Sequence, residues 1–210
     1  MDFAYIIICY MRSLGLAIAP RNQIFIEDCD ENGNPLSNEF RADQWNDRAL
    51  IFDYNADADT AKIIHNAAAT CEPGVFYTVN RMNPDGAFRI KHGQYKAWQI
   101  GNHKGQYPAL TQCRSISGYR DDNEDGIRTG DCEVSGTYGV DIHYGYDSTQ
   151  IGRGSAGCLV RQYKAAHYKA MELIQVDPPA DGIYTVTILP GDKVFEFGKT
   201  LKPKNKVAKA

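Results

Sequence analysis

A chain of 210 residues fits one ordinary domain, or one domain with a small addition. With 43% apolar and 23% charged residues it can bury a sizeable core, which excludes wholesale disorder. The formal net charge of −3, with basic residues scattered except at the lysine-rich end, argues against a dedicated nucleic-acid surface. Six cysteines are too dilute for a disulfide scaffold, and no two have Cys-x-x-Cys spacing. They are expected as reduced thiols, mostly packed as small hydrophobes.

The first segment, Met1-Asp-Phe-Ala-Tyr-Ile-Ile-Ile-Cys-Tyr-Met, carries Asp2 where a secretory leader has its basic residues. Its apolar run is shorter than a bilayer requires. It reads as a buried amphipathic helix from Phe3 to Leu14, stopped at Gly15, with a cleaved leader ending near Ala17 as the alternative. No other segment has the length to span a membrane.

Gln23 to Glu27 alternates like a short strand, and a polar loop runs from Asp28 to about Asp47. Arg48–Tyr54 and Ala61–His65 read as two strands joined by a turn at Asn55–Asp59. Short apolar stretches between Gly, Pro and Asn follow: Val75–Val79, Ala87–Ile90, Ala97–Gly101, Ala109–Cys113 and Gly139–Tyr144. They suggest a compact, mostly β domain. Arg161 to Val176 has helical periodicity and ends at Asp177-Pro-Pro. Gly182–Leu189 is a last strand, and a basic flexible tail is expected over 191–210, with a polyanion-binding arm as the second option.

Two acidic loops invite a calcium reading. Asp28-Cys-Asp-Glu-Asn-Gly, closed by Glu39, satisfies the EF-hand loop pattern, and Asp121-Asp-Asn-Glu-Asp-Gly126 begins the same way, with Cys132 where the closing carboxylate belongs. No clear helix follows the first loop. Both are expected as turns whose side chains bond their own backbone, with no metal site.

The chemistry concentrates in Asp141-Ile-His-Tyr-Gly-Tyr-Asp-Ser-Thr-Gln-Ile-Gly-Arg-Gly-Ser-Ala-Gly-Cys-Leu-Val-Arg161. His143 ends a β-type alternation, and Cys158 follows a glycine just ahead of the predicted helix. A helix N-terminus lowers a thiol pKa, and a nearby imidazole can take the thiol proton and return it to a leaving amine. The N–H groups of Gly157 and Cys158 are expected to contribute to an oxyanion hole. Taken as spacing alone, Cys158 and His143 also fit an ordinary buried pair.

His143 followed by Ser155-Ala-Gly-Cys158-Leu-Val resembles the signature of the L,D-transpeptidase (YkuD-like) family, a histidine followed after a loop by Ser/Thr-His-Gly-Cys. Thr70-Cys-Glu-Pro-Gly-Val-Phe-Tyr is loosely similar to that family's Thr-Pro-x-Gly-x-Phe segment. Met82-Asn-Pro-Asp-Gly, Gly93-Gln-Tyr-Lys, His103-Lys-Gly-Gln-Tyr-Pro-Ala-Leu and Tyr119-Arg-Asp-Asp-Asn-Glu-Asp-Gly resemble a bacterial and phage branch with the same core, over roughly residues 45–175. Several positions depart from the pattern: Ala156 stands where the motif has histidine, Val160 where many members have arginine, and His-Tyr-Gly replaces His-Gly-Thr.

The resemblance implies a mostly β (α+β) fold, an L,D-transpeptidase-like β-sandwich with an N-terminal helix and a helix after the cysteine. Residues 1–44 would be an addition and 45–190 the catalytic domain. Cys158 would be the nucleophile and His143 its base, with Ser155 and Gly157 shaping the turn; Arg161, His103, Arg153 and Tyr144 are the substrate-binding candidates, and Arg120 is a further carboxylate clamp. The implied partner is the peptidoglycan stem peptide, at the cell wall or on a virion, with a cytoplasmic site as the alternative. Transfer to an amine would cross-link, transfer to water would hydrolyse, and a non-catalytic wall-binding or virion module is the remaining option. No zinc pattern, nucleotide-binding glycine loop or flavin motif is present, so no cofactor is expected.

Overall fold

A computed structural model describes residues 2–36 and 43–202. The apolar N-terminal run forms α1 (Phe3–Ser13), capped by the Asp2 carboxylate, which accepts the Ala4 N–H at 3.0 Å. Gly15, at φ +68°, carries the chain out of it. Three strands follow: β1 (Arg21–Glu27), β2 (Asp47–Asn55) and β3 (Thr60–Thr70), antiparallel in sequence order. Beyond them lie α2 (Val75–Val79), β4 (Ala87–Ile90), β5 (Gly93–His103), β6 (Tyr107–Gln112), β7 (Ile116–Asp121) and β8 (Cys132–Gly136). The chain ends through β9 (Ile142–Tyr144), β10 (Leu159–Arg161), α3 (Lys164–Ile174), β11 (Tyr184–Pro190) and α4 (Gly191–Thr200).

Eight strands close a barrel in the order β1-β11-β5-β6-β9-β10-β3-β2, and β4-β7-β8 form a separate small sheet. The mostly β expectation holds. The sandwich expectation does not, because parallel pairings of β1 with β11 and of β9 with β10 join the sheet into a ring with no free edge. One face of the alternating strands fills the barrel with Phe25, Ile51, Trp98, Leu110, Ile142 and Leu159. Trp98 satisfies its buried Nε1–H on the Val140 carbonyl at 2.7 Å. Helix α3 packs Ala170, Met171 and Ile174 into the same core.

A second core lies outside the barrel wall. Ile7, Ile8 and Met11 of α1 cover Ile24, Ile26, Leu50 and Phe52, the outward residues of β1 and β2. Strand β1 is therefore an integral stave, and no domain boundary falls at 44/45. Nor is 191–200 a frayed tail: Pro190 ends β11 and stands at the N-cap of α4. That helix buries Val194 and lays Phe197 on Tyr10 with ring centroids 5.4 Å apart. The lysines at this end of the chain obscured a narrow apolar stripe. The rest of the predicted tail, 203–210, lies outside the described residues.

Val75–Val79, expected as a strand, is instead the short helix α2. An apolar run of five cannot separate the two periods, and Gly74 begins a turn in which Tyr77 N–H and Thr78 N–H both bond its carbonyl. Among the described residues, no helix is long and apolar enough to cross a membrane.

Because α1 is held by side-chain burial against a wall that is complete without it, Ile7→Ala should cost ~2–5 kcal/mol. Urea denaturation of the variant checks this; an unchanged midpoint would mean that α1 adds little to the fold.

Candidate active site

The chain reaches the site through two three-residue strands. Strand β10 pairs in parallel with β9, Leu159 opposite Ile142 and Val160 opposite His143. Ile142 and Leu159 point into the barrel core, so alternation turns His143 to the opposite face, together with Asp141 two residues before it. Cys158 joins them there, and Cys158, His143 and His103 all line one cleft of about 330 Å³.

The turn ahead of the cysteine is tied down locally. Ser155 is buried; its Oγ accepts the Gly157 N–H at 3.1 Å and donates to the Cys158 carbonyl at 2.9 Å. Gly157 adopts φ +117°, and a Cβ there would sit 2.5 Å from the Phe88 carbonyl oxygen. Only glycine lets the turn press so close to β4. The segment that loosely resembles the family's threonine-glycine motif docks on the same turn, with the Gly74 N–H donating to the Ser155 carbonyl at 2.9 Å.

Two expectations about this turn are corrected. The Gly157 N–H is spent on Ser155 and is not an oxyanion donor, which leaves the Cys158 N–H without an acceptor among the described residues. Cys158 also lies ahead of a strand rather than at a helix start, since α3 begins only at Lys164. No helix dipole lowers its thiol. Burial pushes it up to about 12, with the negative charge of Asp141 adding to the rise.

His143 is almost fully buried. Its Nδ1 lies 2.9 Å from the Tyr144 carbonyl oxygen; that acceptor requires the proton on Nδ1 and leaves Nε2 as a lone pair. Burial, and then the neighbouring His103, hold the ring down to about 4, so it is a neutral proton acceptor across the physiological range. The His103 ring stacks on it with centroids 4.0 Å apart and 20° between planes. His103 Nδ1 lies in turn 2.7 Å from Asp141 Oδ2, and Asp141 Oδ1 accepts the Gln112 N–H at 3.2 Å. Asp141 thus fixes the imidazole that stacks on His143. The sequence reasoning did not single it out, although its place two residues before His143 in an alternating strand was the available signal.

Of the substrate-binding candidates, His103 and Arg153 line the cleft. The Arg153 guanidinium lies 4.0 Å from the centre of the Phe76 ring. Arg120 also lines it, stacked on Tyr138 at 4.9 Å, and Lys104 adds a third cation. Among the described residues, no carboxylate side chain lines the cleft. Tyr144 is turned the other way, packing on Tyr107 at 4.4 Å. Arg161 faces the barrel interior above the Phe25 ring at 5.3 Å, 1% exposed, with no partner for Nε or Nη2 among the described residues. Strand alternation excludes both from the site. His65 is half-buried, His167 is buried and His92 bonds Glu27, and none of them lines the cleft. Among the described residues, no three Asp, Glu, His or Cys side chains converge on a metal-sized point.

Compared with family models, with curated proteins and with solved structures, the chain matches none.

With the thiol up near 12 and the imidazole down near 4, alkylation of Cys158 by iodoacetamide should be slow at neutral pH. The rate should climb steadily with pH without a plateau near neutrality; mass spectrometry of timed samples checks this, and a plateau there would mean a resting thiolate–imidazolium pair. Arg161→Met should leave that labelling unchanged and the denaturation midpoint equal or higher, because it removes a buried charge whose Nε and Nη2 have no acceptor among the described residues. A large loss of stability in that variant would reveal an anionic partner for Arg161.

Proposed function

We propose that the cleft performs acyl transfer through Cys158, in the manner of an L,D-transpeptidase, with the barrel as the catalytic domain and peptidoglycan stem peptides as substrates. The observation that carries the reading is that Cys158, whose Sγ rests 3.7 Å from the Gly139 carbonyl oxygen, lines the same cleft as a histidine whose Nδ1 is committed to a backbone carbonyl. That commitment leaves Nε2 as the base. In the step proposed, Nε2 of His143 takes the thiol proton as Sγ adds to an amide carbonyl carbon. The Cys158 N–H donates to the oxygen that becomes negative. Collapse breaks the C–N bond, and the imidazolium returns its proton to the departing amine, leaving a thioester on Cys158. A second amine, deprotonated by His143, then forms a new amide and frees the thiol; water in its place gives a carboxylic acid.

A thiol held near 12 carries little thiolate at neutral pH, so in this reading the proton moves during attack rather than before it. Closing the cleft with a peptide also expels water and strengthens the Sγ-to-imidazole transfer. Arg120, Arg153 and Lys104 supply positive charge with no opposing carboxylate among the described residues of the cleft wall, which suits a peptide bearing free carboxylates. His103, locked by Asp141, supplies a second imidazole in a site whose motif lacks one at Ala156. The same high thiol pKa is the one observation favouring the rival reading, a wall-binding or virion module that keeps the fold without turnover. Action at the bacterial wall follows from the proposed substrate.

Incubation with a carbapenem, which acylates nucleophilic thiols, should give a single adduct by intact mass on Cys158. Cys158→Ala should abolish the adduct, and His143→Ala should slow it by ~10²–10⁴-fold. Absence of an adduct on the wild type, together with no product from peptidoglycan, would leave the binding module as the better account. With turnover, new amide cross-links identify a transpeptidase, and free D-alanine or cleaved cross-links a hydrolase.

A further inference from the structure

Outside the candidate cleft, the two acidic loops close on their own backbone. Asp30 Oδ1 accepts the Asn32 and Asn34 N–H groups and Asp125 Oδ1 the Ile127 N–H, each at 2.8 Å. A second cavity offers more. It encloses about 250 Å³ among Gln23, Lys96, Ile174, Asp177, Ile183 and Tyr184. Strand register places it at the other end of the barrel from the thiol. Strands β1 and β11 run parallel, from Arg21 and Tyr184 to Glu27 and Pro190. The end of β1 faces the start of β2, Ile26 opposite Arg48, and the start of β2 faces the end of β3, Asp47 opposite Ala69. Thr70 then pairs with Val160, two residues after Cys158. Cys158 thus stands where β1 finishes, and the second cavity lies where β1 and β11 begin.

Alternation along β1 turns Gln23 inward with Phe25, and its register partners Ile51 and Val186 are core residues. Gln23 is 5% exposed, and its Oε1 is shielded from solvent with no donor among the described residues. A buried amide oxygen in an apolar barrel is costly unless a donor reaches it, and the cavity is the side from which one can come. The last torsion of a glutamine is broad, so the amide can swing its oxygen to the cavity wall. Tyr184, buried beside it, has a hydroxyl that makes no hydrogen bond among the described residues.

The cations lining this cavity are already matched. Arg21 gives Nε and Nη2 to Asp53 at 2.8 and 3.1 Å and Nη1 to the Leu173 carbonyl at 2.7 Å. Lys96 lies 2.9 Å from Asp181, which Arg114 also approaches at 3.8 Å. Asp177, by contrast, makes no hydrogen bond or ion pair among the described residues, and its charge acts on Arg21 only from a distance. The unmet demand is for donors and for positive charge. Ile174 and Ile183 supply an apolar wall, and Pro178 and Pro179 hold part of it in a fixed backbone conformation before any ligand arrives. The volume lies below the range of pockets for drug-sized molecules, so the occupant is small.

We infer that this second mouth of the barrel binds a small primary amine, as its ammonium ion, with an apolar body. Asp177 answers the charge, Gln23 Oε1 and the Tyr184 hydroxyl accept N–H groups, and the apolar body lies on Ile174 and Ile183. An aromatic ring in the wall favours a cation further. At the opposite end of the barrel from Cys158, this amine is not the acyl acceptor.

The test is an amide chemical-shift titration of the full chain with three matched probes: phenethylammonium, 2-phenylethanol and phenylacetate. Phenethylammonium should shift the Gln23, Ile183 and Tyr184 signals saturably in the millimolar range, and the alcohol and the carboxylate should bind more weakly. Gln23→Leu and Asp177→Asn should each weaken the ammonium by about tenfold, as expected for loss of a hydrogen bond to a charged group. Gln23→Leu should unfold at an equal or higher denaturant midpoint, since it removes an unpartnered buried oxygen. If that variant fails to fold, Asp177→Asn decides alone, because Asp177 is exposed. No saturation by phenethylammonium, equal binding of phenylacetate or the alcohol, or unchanged affinity in either folded variant would overturn the site. The readout is binding remote from the thiol, so it stands whether or not Cys158 turns over.

Discussion

The parallel pairing of two three-residue strands, Ile142–Tyr144 against Leu159–Arg161, is the contact on which the rest depends. Strand β9 reaches β6 through the Leu110–Ile142 pair, and β10 reaches β3 through Val160–Thr70 and Arg161–Ala69. Without the β9–β10 ladder the barrel stays an open sheet, and Phe25, Leu110 and Leu159 lose their common interior. The same ladder sets the faces of the site. A one-residue slip would send His143 into the core and Ile142 into the cleft. Fold closure and assembly of the candidate site are therefore one event.

A parallel pair cannot be joined by a tight turn, and the crossover from Gly145 to Cys158 is held by contacts from elsewhere. Trp45 Nε1–H donates to the Ser148 carbonyl at 2.9 Å, and the Asp43 carboxylate accepts the Gly152 N–H at 2.7 Å. Gly145 carries no side chain because the Trp45 ring occupies that space, 2.2 Å from where its Cβ would be. The long loop is thus fastened at its middle by residues about a hundred positions earlier in the chain, and Cys158 arrives at the cleft in one orientation.

Buried charge does a different job on the other side of the cleft. Burial alone would raise the Glu27 carboxyl, but Arg128 and His92 outweigh it and hold it down to about 2. Arg128 also reaches Glu72, which pairs with Arg89, which pairs with Asp121. This chain of ions ties the barrel strand β1 to the small sheet β4-β7-β8, which also packs Phe88, Ile90 and Ile116 into the main core. Its Glu27, Arg89 and Asp121 members are desolvated, so the network favours one placement of the small sheet over others more than it adds raw stability. That placement sets the positions of Phe88 and Arg120 in the cleft wall.

The sequence by itself determined the local elements whose period was long enough to read. These are the helix begun at Phe3, the hairpin through Asn55–Asp59, the helix through Ala170 and the strand ending near Leu189. It also singled out Cys158 and His143, which line one cleft, because the glycine before the thiol and the alternation around the histidine are local features. Tertiary structure decided the rest. It closed the strands into a barrel rather than a sandwich, since which strands meet in parallel depends on contacts far apart in sequence. It put Arg161 and Tyr144 on faces that the cleft does not see, because three-residue strands are too short for alternation to announce them. It turned the end of the chain into a docked helix, whose Val194 and Phe197 acquire meaning only once Tyr10 and Ile6 stand opposite. And it brought His103 and Asp141, 38 residues apart, against His143, a proximity that only barrel closure can create.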